Sequence, residues 1–217
     1  MLKNIKAAIF DLDGTLIDSM WVWDRIDENY FRSRNMDLPK NLKTQIEHLS
    51  FDETAAYFKS NFGILDTIDE IKNEWNDYAR VEYLNNVKLK PGVVEFLSLL
   101  KTMNIKIGLA TSNSKSLLEA ALHANNIYHY FDCITLTDEV SRGKDFPDVY
   151  LLAAERLGVS PAECIVFEDI LPAVKGAKAA GMRVVGVYDD FSKEQRDDII
   201  NYADMYIIGY NELTTAI

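Results

Sequence analysis

Asp11 and Asp13 stand two apart in the run Asp11-Leu12-Asp13-Gly14-Thr15. Thr111-Ser112-Asn113, Gly143-Lys144 and the adjacent pair Glu168-Asp169 follow further along the chain. Together these residue types suit phosphoryl chemistry. Asp11 and Asp169 offer hard oxygen ligands for Mg²⁺, which takes one or two carboxylates and completes its shell with phosphate oxygens and water. Such a cation offsets the repulsion between clustered carboxylates and an incoming phosphate. Lys144 adds a compact positive charge for a phosphoryl oxygen. The Thr111 hydroxyl and nearby backbone N–H groups can donate to the same oxygens. Asp11 can attack phosphorus as a nucleophile. Asp13 can protonate the leaving oxygen and later take a proton from water, an effect of roughly 10²–10⁴-fold. Phosphoryl transfer asks for little beyond this positioning and charge stabilisation.

These residues must be brought together by the elements before them. Short apolar runs recur at Ala7–Phe10, Ile105–Ala110, Cys133–Leu136, Cys164–Phe167, Val184–Val187 and, more weakly, Met205–Ile208. Near-continuous hydrophobic strands indicate burial on both faces, hence a parallel sheet. Helical patterns lie between them at Pro91–Met103, Ser114–Leu122, Pro147–Leu157 and Leu171–Ala180. This alternation predicts an α/β fold with a doubly wound, Rossmann-like parallel sheet. In such sheets ligands bind outside the carboxyl ends of the strands, which is where the residues above fall.

The stretch 18–86 differs. It has no convincing strand and holds all three tryptophans, Trp21, Trp23 and Trp75. Helical patterns run near Ser19–Arg34, Leu42–Leu49, Asp52–Phe62 and Asp66–Tyr83. The expectation is a catalytic core of residues 1–17 and 87–217, with an all-α helical cap at 18–86 inserted after the first strand. Core packing is the expected role of Trp21 and Trp23.

The whole chain is 217 residues, 48% apolar and 26% charged, with a net charge of −11. That is ordinary globular composition. The acidic balance argues against a nucleic-acid backbone or an anionic membrane surface as partner. No run approaches the 18 apolar residues of a spanning helix, and the first residues lack a leader pattern. A cytoplasmic protein is expected, with a monomer as the default state. Cys133 and Cys164 sit in apolar runs and read as small hydrophobes.

Simpler roles exist for several of these residues. Asp11-x-Asp13-Gly14 alone could be a turn, and Thr111-Ser112-Asn113 could cap the next helix. Glu168-Asp169 could cap the helix from Leu171. Asp148 reads as a first-turn acid with a supporting role, and Asp189-Asp190 as a solvated turn. An EF-hand is excluded, because loop position 6 would be Leu16 and position 12 Val22. His48, His123 and His129 show no metal spacing, and no dinucleotide or P-loop glycine pattern occurs.

In order along the chain, Asp11-Leu12-Asp13-Gly14-Thr15-Leu16, Thr111-Ser112-Asn113, Gly143-Lys144-Asp145-Phe146-Pro147-Asp148 and Glu168-Asp169 resemble the four motifs of the haloacid dehalogenase superfamily. The nearest group is the β-phosphoglucomutase-like phosphatases, and 18–86 resembles their small helical C1 cap. The resemblance implies a nucleophile at Asp11, an acid/base at Asp13, and phosphoryl contacts from Thr111, Ser112, Asn113 and Lys144. It implies Mg²⁺ held by Asp11, Asp169 and the Asp13 backbone carbonyl, with Glu168 in or near the metal shell. Asp13 points away from dehalogenation, which needs no group to protonate an alcohol. Mutases of the group carry a cap histidine and a cap-loop arginine. Here the first cap helix reads Asp18-Ser19-Met20-Trp21-Val22-Trp23, with no histidine, and the loop reads His48-Leu49-Ser50-Phe51-Asp52, with no arginine. The implied activity is a Mg²⁺-dependent phosphatase acting on a small phosphorylated metabolite through an aspartyl-phosphate. A phosphohexose mutase and a non-catalytic binding protein on the same scaffold are the alternatives.

Overall fold

The computed structural model describes residues 2–46 and 51–214, apart from the side chain of Thr44. The chain divides into two compact units, Met1–Met20 with Val87–Ile217, and Trp21–Asn86.

In chain order the first unit opens with β1 (Ala7–Phe10) and β2 (Ile17–Asp18). The second unit follows as α1 (Trp21–Ser33), α2 (Leu42–Ile46), α3 (Phe51–Phe62) and α4 (Ile68–Asn85). The first unit resumes with β3 (Lys88–Leu89), α5 (Val93–Thr102), β4 (Lys106–Thr111), α6 (Lys115–Ala124), β5 (Cys133–Leu136), α7 (Asp148–Leu157) and β6 (Cys164–Glu168). It ends with α8 (Leu171–Ala179), β7 (Arg183–Val187), α9 (Arg196–Tyr202), β8 (Met205–Ile207) and α10 (Asn211–Thr214).

The main sheet has six strands in the order β5-β4-β1-β6-β7-β8, and every pairing is parallel. The apolar runs produce this because both faces are covered. Along β1, Ala7 and Ile9 join a cluster with Val149, Ala153, Val166, Val174 and Val184 under α7 and α8. Phe10 points the other way, stacked on Phe167 at 4.6 Å and edge-on to Phe96 of α5 at 6.2 Å. The strands fall within a residue or two of the apolar runs.

Two features go beyond the sequence reading. β2 and β3 form a separate antiparallel pair, Ile17 opposite Leu89 and Asp18 opposite Lys88, through which the chain enters and leaves the helical unit. The segment after β7 also adds α9 and α10.

The helical unit has an aromatic core. Phe58 lies 5.7 Å from Tyr30, 5.3 Å from Phe31, 5.5 Å from Phe62 and 4.8 Å from Trp75, ring centre to ring centre. α4 starts with a capping box: Thr67 Oγ1 accepts from the Glu70 N–H, and the Glu70 carboxylate accepts from the Thr67 N–H. Arg34 lies over the Tyr30 ring and donates to Asp66 and Glu74. Trp75 is core, but Trp21 and Trp23 are only half-buried, contrary to the packing role expected of them. They sit in the first turn of α1, where there is less helix to cover them. Arg25 lies over the Trp21 ring, and Trp23 meets Phe51 edge-on. Residues 47–50, including His48 and the end of the expected Leu42–Leu49 helix, lie outside the described residues. Among the described residues, no helix is long and apolar enough to cross a membrane.

Candidate active site

β1 sits where the strand order reverses, with β4 on one side and β6 on the other. At such a point the chains leaving neighbouring strands diverge and open a crevice at their carboxyl ends. Asp11 follows β1 directly, and its N–H donates to the Phe167 carbonyl of β6 (3.0 Å). Glu168 ends β6 and Asp169 follows it. Ligand oxygens of Asp11, Glu168 and Asp169 all lie within 4.8 Å of one another, and all three residues are buried.

Lys144 reaches this cluster from 133 residues away. Its Nζ lies 2.5 Å from Asp11 Oδ1 and 2.5 Å from Glu168 Oε1, with both its side chain and that of Asp11 only 9% exposed. Burial opposes the ammonium charge, but Asp11 and Glu168 together hold the Lys144 pKa above its usual range. One lysine does not balance three buried carboxylates. Burial, together with Asp11, pushes the Glu168 carboxyl up to about 7 against the pull of Lys144. The Asp169 carboxyl is raised well above its usual range, chiefly by burial and next by Asp11. Glu168 Oε2 and Asp169 Oδ2 are buried without a hydrogen-bond partner. Unpaired buried carboxylate oxygens are costly, and converging anionic oxygens of this kind suit a hard divalent cation.

The loop after β1 is shaped by Gly14, which has φ +80°. A Cβ there would stand 2.3 Å from Asp169 Oδ2, so only glycine combines this turn with the close carboxylate. Thr15 Oγ1 donates to the other Asp169 oxygen, Oδ1 (3.1 Å). Asp13 is held at both oxygens: Ser19 Oγ donates to Oδ1 and Asn113 Nδ2 to Oδ2, each at 2.7 Å. Asn113 therefore bonds to Asp13 through its side chain, while its N–H donates to Thr111 Oγ1 (3.0 Å). Thr111 is buried at the end of β4 and Ser112 is exposed beside it. The cap of α6 is Ser114, which accepts from the Leu117 N–H.

Several supports were not anticipated. Tyr150 Oη donates to Glu168 Oε1 (2.8 Å) from the buried face of α7, where its place in an apolar stripe disguised it as core. Gly176 lets α8 approach the lysine loop, for a Cβ there would lie 2.0 Å from the Lys144 carbonyl oxygen. Arg142 pairs with Asp148 in the first turn of α7 and lies over Phe146. Glu168 and Asp169 do not cap α8. Ile170 is the cap residue there, and the Leu171 N–H bonds to Gln195. Asp189 is no solvated turn: it is 6% exposed and paired with Lys90.

Known proteins are similar to this chain in sequence and in fold. A phosphorylated carbohydrates phosphatase from Thermotoga maritima is 32% identical over 84% of this chain and 85% of its own length. Hexitol phosphatase B from Escherichia coli is 29% identical over 98% and 96%. A solved structure from Thermotoga maritima, provisionally assigned as a β-phosphoglucomutase, superposes with a TM-score of 0.84, covering 98% of this chain and 100% of that one at 27% identity. The profile of the haloacid dehalogenase-like hydrolases matches residues 8–187, a span that starts in β1 and takes in every carboxylate of the cluster. With its acids at the ends of β1 and β6 and its lysine between them, the chain belongs to the haloacid dehalogenase-like hydrolases, in their phosphoglucomutase-like group.

Proposed function

We propose that this chain is a phosphoric monoester hydrolase for a small phosphorylated metabolite of the sugar-phosphate class. The observation that carries the reading is the convergence of Asp11, Glu168 and Asp169 with Lys144 at the sheet's switch point. Relatives named for phosphorylated carbohydrates and hexitols support the substrate class. Asp11, Asp169 and the Asp13 carbonyl, with Glu168 beside them, would hold Mg²⁺. When bound, that cation supplies positive charge against the phosphoryl oxygens and among the carboxylates.

Asp11 attacks phosphorus through a carboxylate oxygen, and the bond from phosphorus to the ester oxygen breaks. The leaving oxygen takes a proton from Asp13. Water then gives a proton to Asp13 and attacks the aspartyl-phosphate, which releases phosphate and restores Asp11. Asp13 can play both parts because of its partners. The Asn113 Nδ2 group that faces Asp13 can only donate, whereas the Ser19 hydroxyl can turn to accept. A protonated Asp13 therefore keeps a partner on its Oδ1 side. Thr111 and Lys144 hold phosphoryl oxygens, with Ser112 and Asn113 on the same loop, and Lys144 moves part of its interaction from Asp11 to the substrate. The helical unit, Trp21–Asn86, acts as the cap that selects the leaving group.

Hydrolysis of p-nitrophenyl phosphate with Mg²⁺ and with chelator tests the reading, followed by a panel of phosphorylated metabolites ranked by kcat/KM. Asp11→Asn should lower turnover by about 10⁴-fold or more. Retention of wild-type turnover by this variant would sink the mechanism. The mutase reading, favoured by the structural likeness to a β-phosphoglucomutase assignment, is separated by product. It requires β-glucose 1-phosphate to become glucose 6-phosphate faster than free phosphate appears.

A further inference from the structure

The buried ion pair Lys90–Asp189 has no part in the mechanism above, yet it lies in the same unit. Lys90 Nζ is 2.9 Å from Asp189 Oδ2 and also donates to the Tyr188 carbonyl, and the two side chains are 8% and 6% exposed. Asp189 Oδ1 accepts from the Phe191 N–H. Replacing a buried pair by apolar residues often costs nothing in stability, so stability alone is a weak reason for it.

Its connections lead to the site. The Lys90 N–H donates to the Leu16 carbonyl (2.9 Å). Next along the chain, the Pro91 carbonyl accepts from the Tyr210 N–H (3.0 Å), and Tyr210 Oη donates to the Thr15 carbonyl (3.3 Å). Consecutive residues, Lys90 and Pro91, thus hold Leu16 directly and Thr15 through Tyr210. Thr15 Oγ1 in turn donates to Asp169 Oδ1, leaving the buried Oδ2 without a protein partner. Through its pair with Asp189, Lys90 gives this chain of contacts an ionic anchor.

We propose that Lys90 and Asp189 are positioning residues for the cation: the pair pins the Thr15–Leu16 turn, and Thr15 orients the Asp169 carboxylate. This rests on the reading of Asp169 as a cation ligand. Hydrogen-bond partners behind a metal ligand commonly govern affinity by about 10–100-fold.

The test measures Mg²⁺ binding to the full chain by calorimetry, beside the melting midpoint and p-nitrophenyl phosphate turnover. Asp189→Asn and Lys90→Met should each weaken Mg²⁺ binding by about 10-fold, with turnover at saturating Mg²⁺ falling far less. Lys90→Met/Asp189→Leu, which replaces the pair with apolar groups, should recover the melting midpoint but not the Mg²⁺ affinity. Mg²⁺ affinity within twofold of the parent in that double variant, or in Asp189→Asn, overturns the proposal. If the Lys90→Met proteins do not fold, the near-isosteric Asp189→Asn decides alone. Failure of the unaltered chain to bind Mg²⁺ overturns the functional reading, and the positioning role with it. Failure confined to the variants' predicted losses overturns the positioning role only.

Discussion

The two units bury different things. In the sheet unit Asp11, Lys90, Glu168, Asp169 and Asp189 are all buried, along with Thr15, Ser19 and Thr111. In the helical unit, among the described residues, no charged or hydroxyl-bearing residue other than tyrosine is buried, and the interior is Tyr30, Phe31, Phe58, Trp75 and Tyr83 with aliphatic neighbours. Burying charge is expensive unless it is paired. The sheet unit meets that cost where a reaction needs a dry, charged crevice. The helical unit is held by aromatic area and shape, which tolerate substitution if volume is kept.

Four outcomes would break or sharpen this contrast. The largest is Asp11→Asn, whose loss of turnover, about 10⁴-fold or more, should come with little change in melting. A collapse of folding instead would make the charged crevice structural. Next, Phe58→Ala should destabilise the helical unit by about 3–5 kcal/mol. All three tryptophans lie in that unit, so tryptophan fluorescence during urea unfolding reports on it selectively. An unchanged midpoint would show that the aromatic cluster is not its core.

Third, Gly176→Ala places a Cβ 2.0 Å from the Lys144 carbonyl oxygen. Overpacking of this kind costs about 1–3 kcal/mol, and displacement of Lys144 should lower kcat more than it raises KM. Parent-like kinetics would show that the loop yields without moving its ammonium. The smallest effect belongs to Asp27 in α1, which is only half-buried; that partial loss of water, then Asp24, pushes its carboxyl up to about 7, with Lys43 opposing. Its folded pKa lies above the unfolded value of about 3.9, so the folded state holds more protons between the two. Stability of the helical unit should therefore fall as pH rises from about 4 to 7, and Asp27→Asn should flatten that slope. An unchanged slope in urea titrations at pH 5 and pH 8 would remove Asp27 as its source.

Much of the sheet unit was legible in the sequence because its signals are local. Each strand of the six-stranded sheet is one apolar run, and the candidate site residues lie in the segments after these runs, as Asp11 follows Ala7–Phe10. The supports were hidden because they depend on distant pairings. Thr15 meets Asp169 across 154 residues and Lys90 meets Asp189 across 99, and no periodicity encodes either contact. Asp189 in particular reads as a turn acid until Lys90 is beside it. β2 and β3, at two residues each, are too short to leave a pattern. In the helical unit the helices were visible, but which tryptophan is core was not. Trp21 and Trp75 have the same hydrophobicity and differ only in their place along a helix.

The central position of β1 has a consequence for how the chain is born. Its partners are β4, with Ala7 opposite Lys106, and β6, with Ala7 opposite Cys164. The strand that carries Asp11 is made before either neighbour and waits for β4 and then for β6. Closing such long loops carries an entropic cost before any contact repays it. The helical unit, complete by Asn86, can fold on the ribosome well before the crevice exists. A chain released before residue 168 would carry Asp11 without Glu168 or Asp169, so the carboxylate cluster assembles only after β6 has been made.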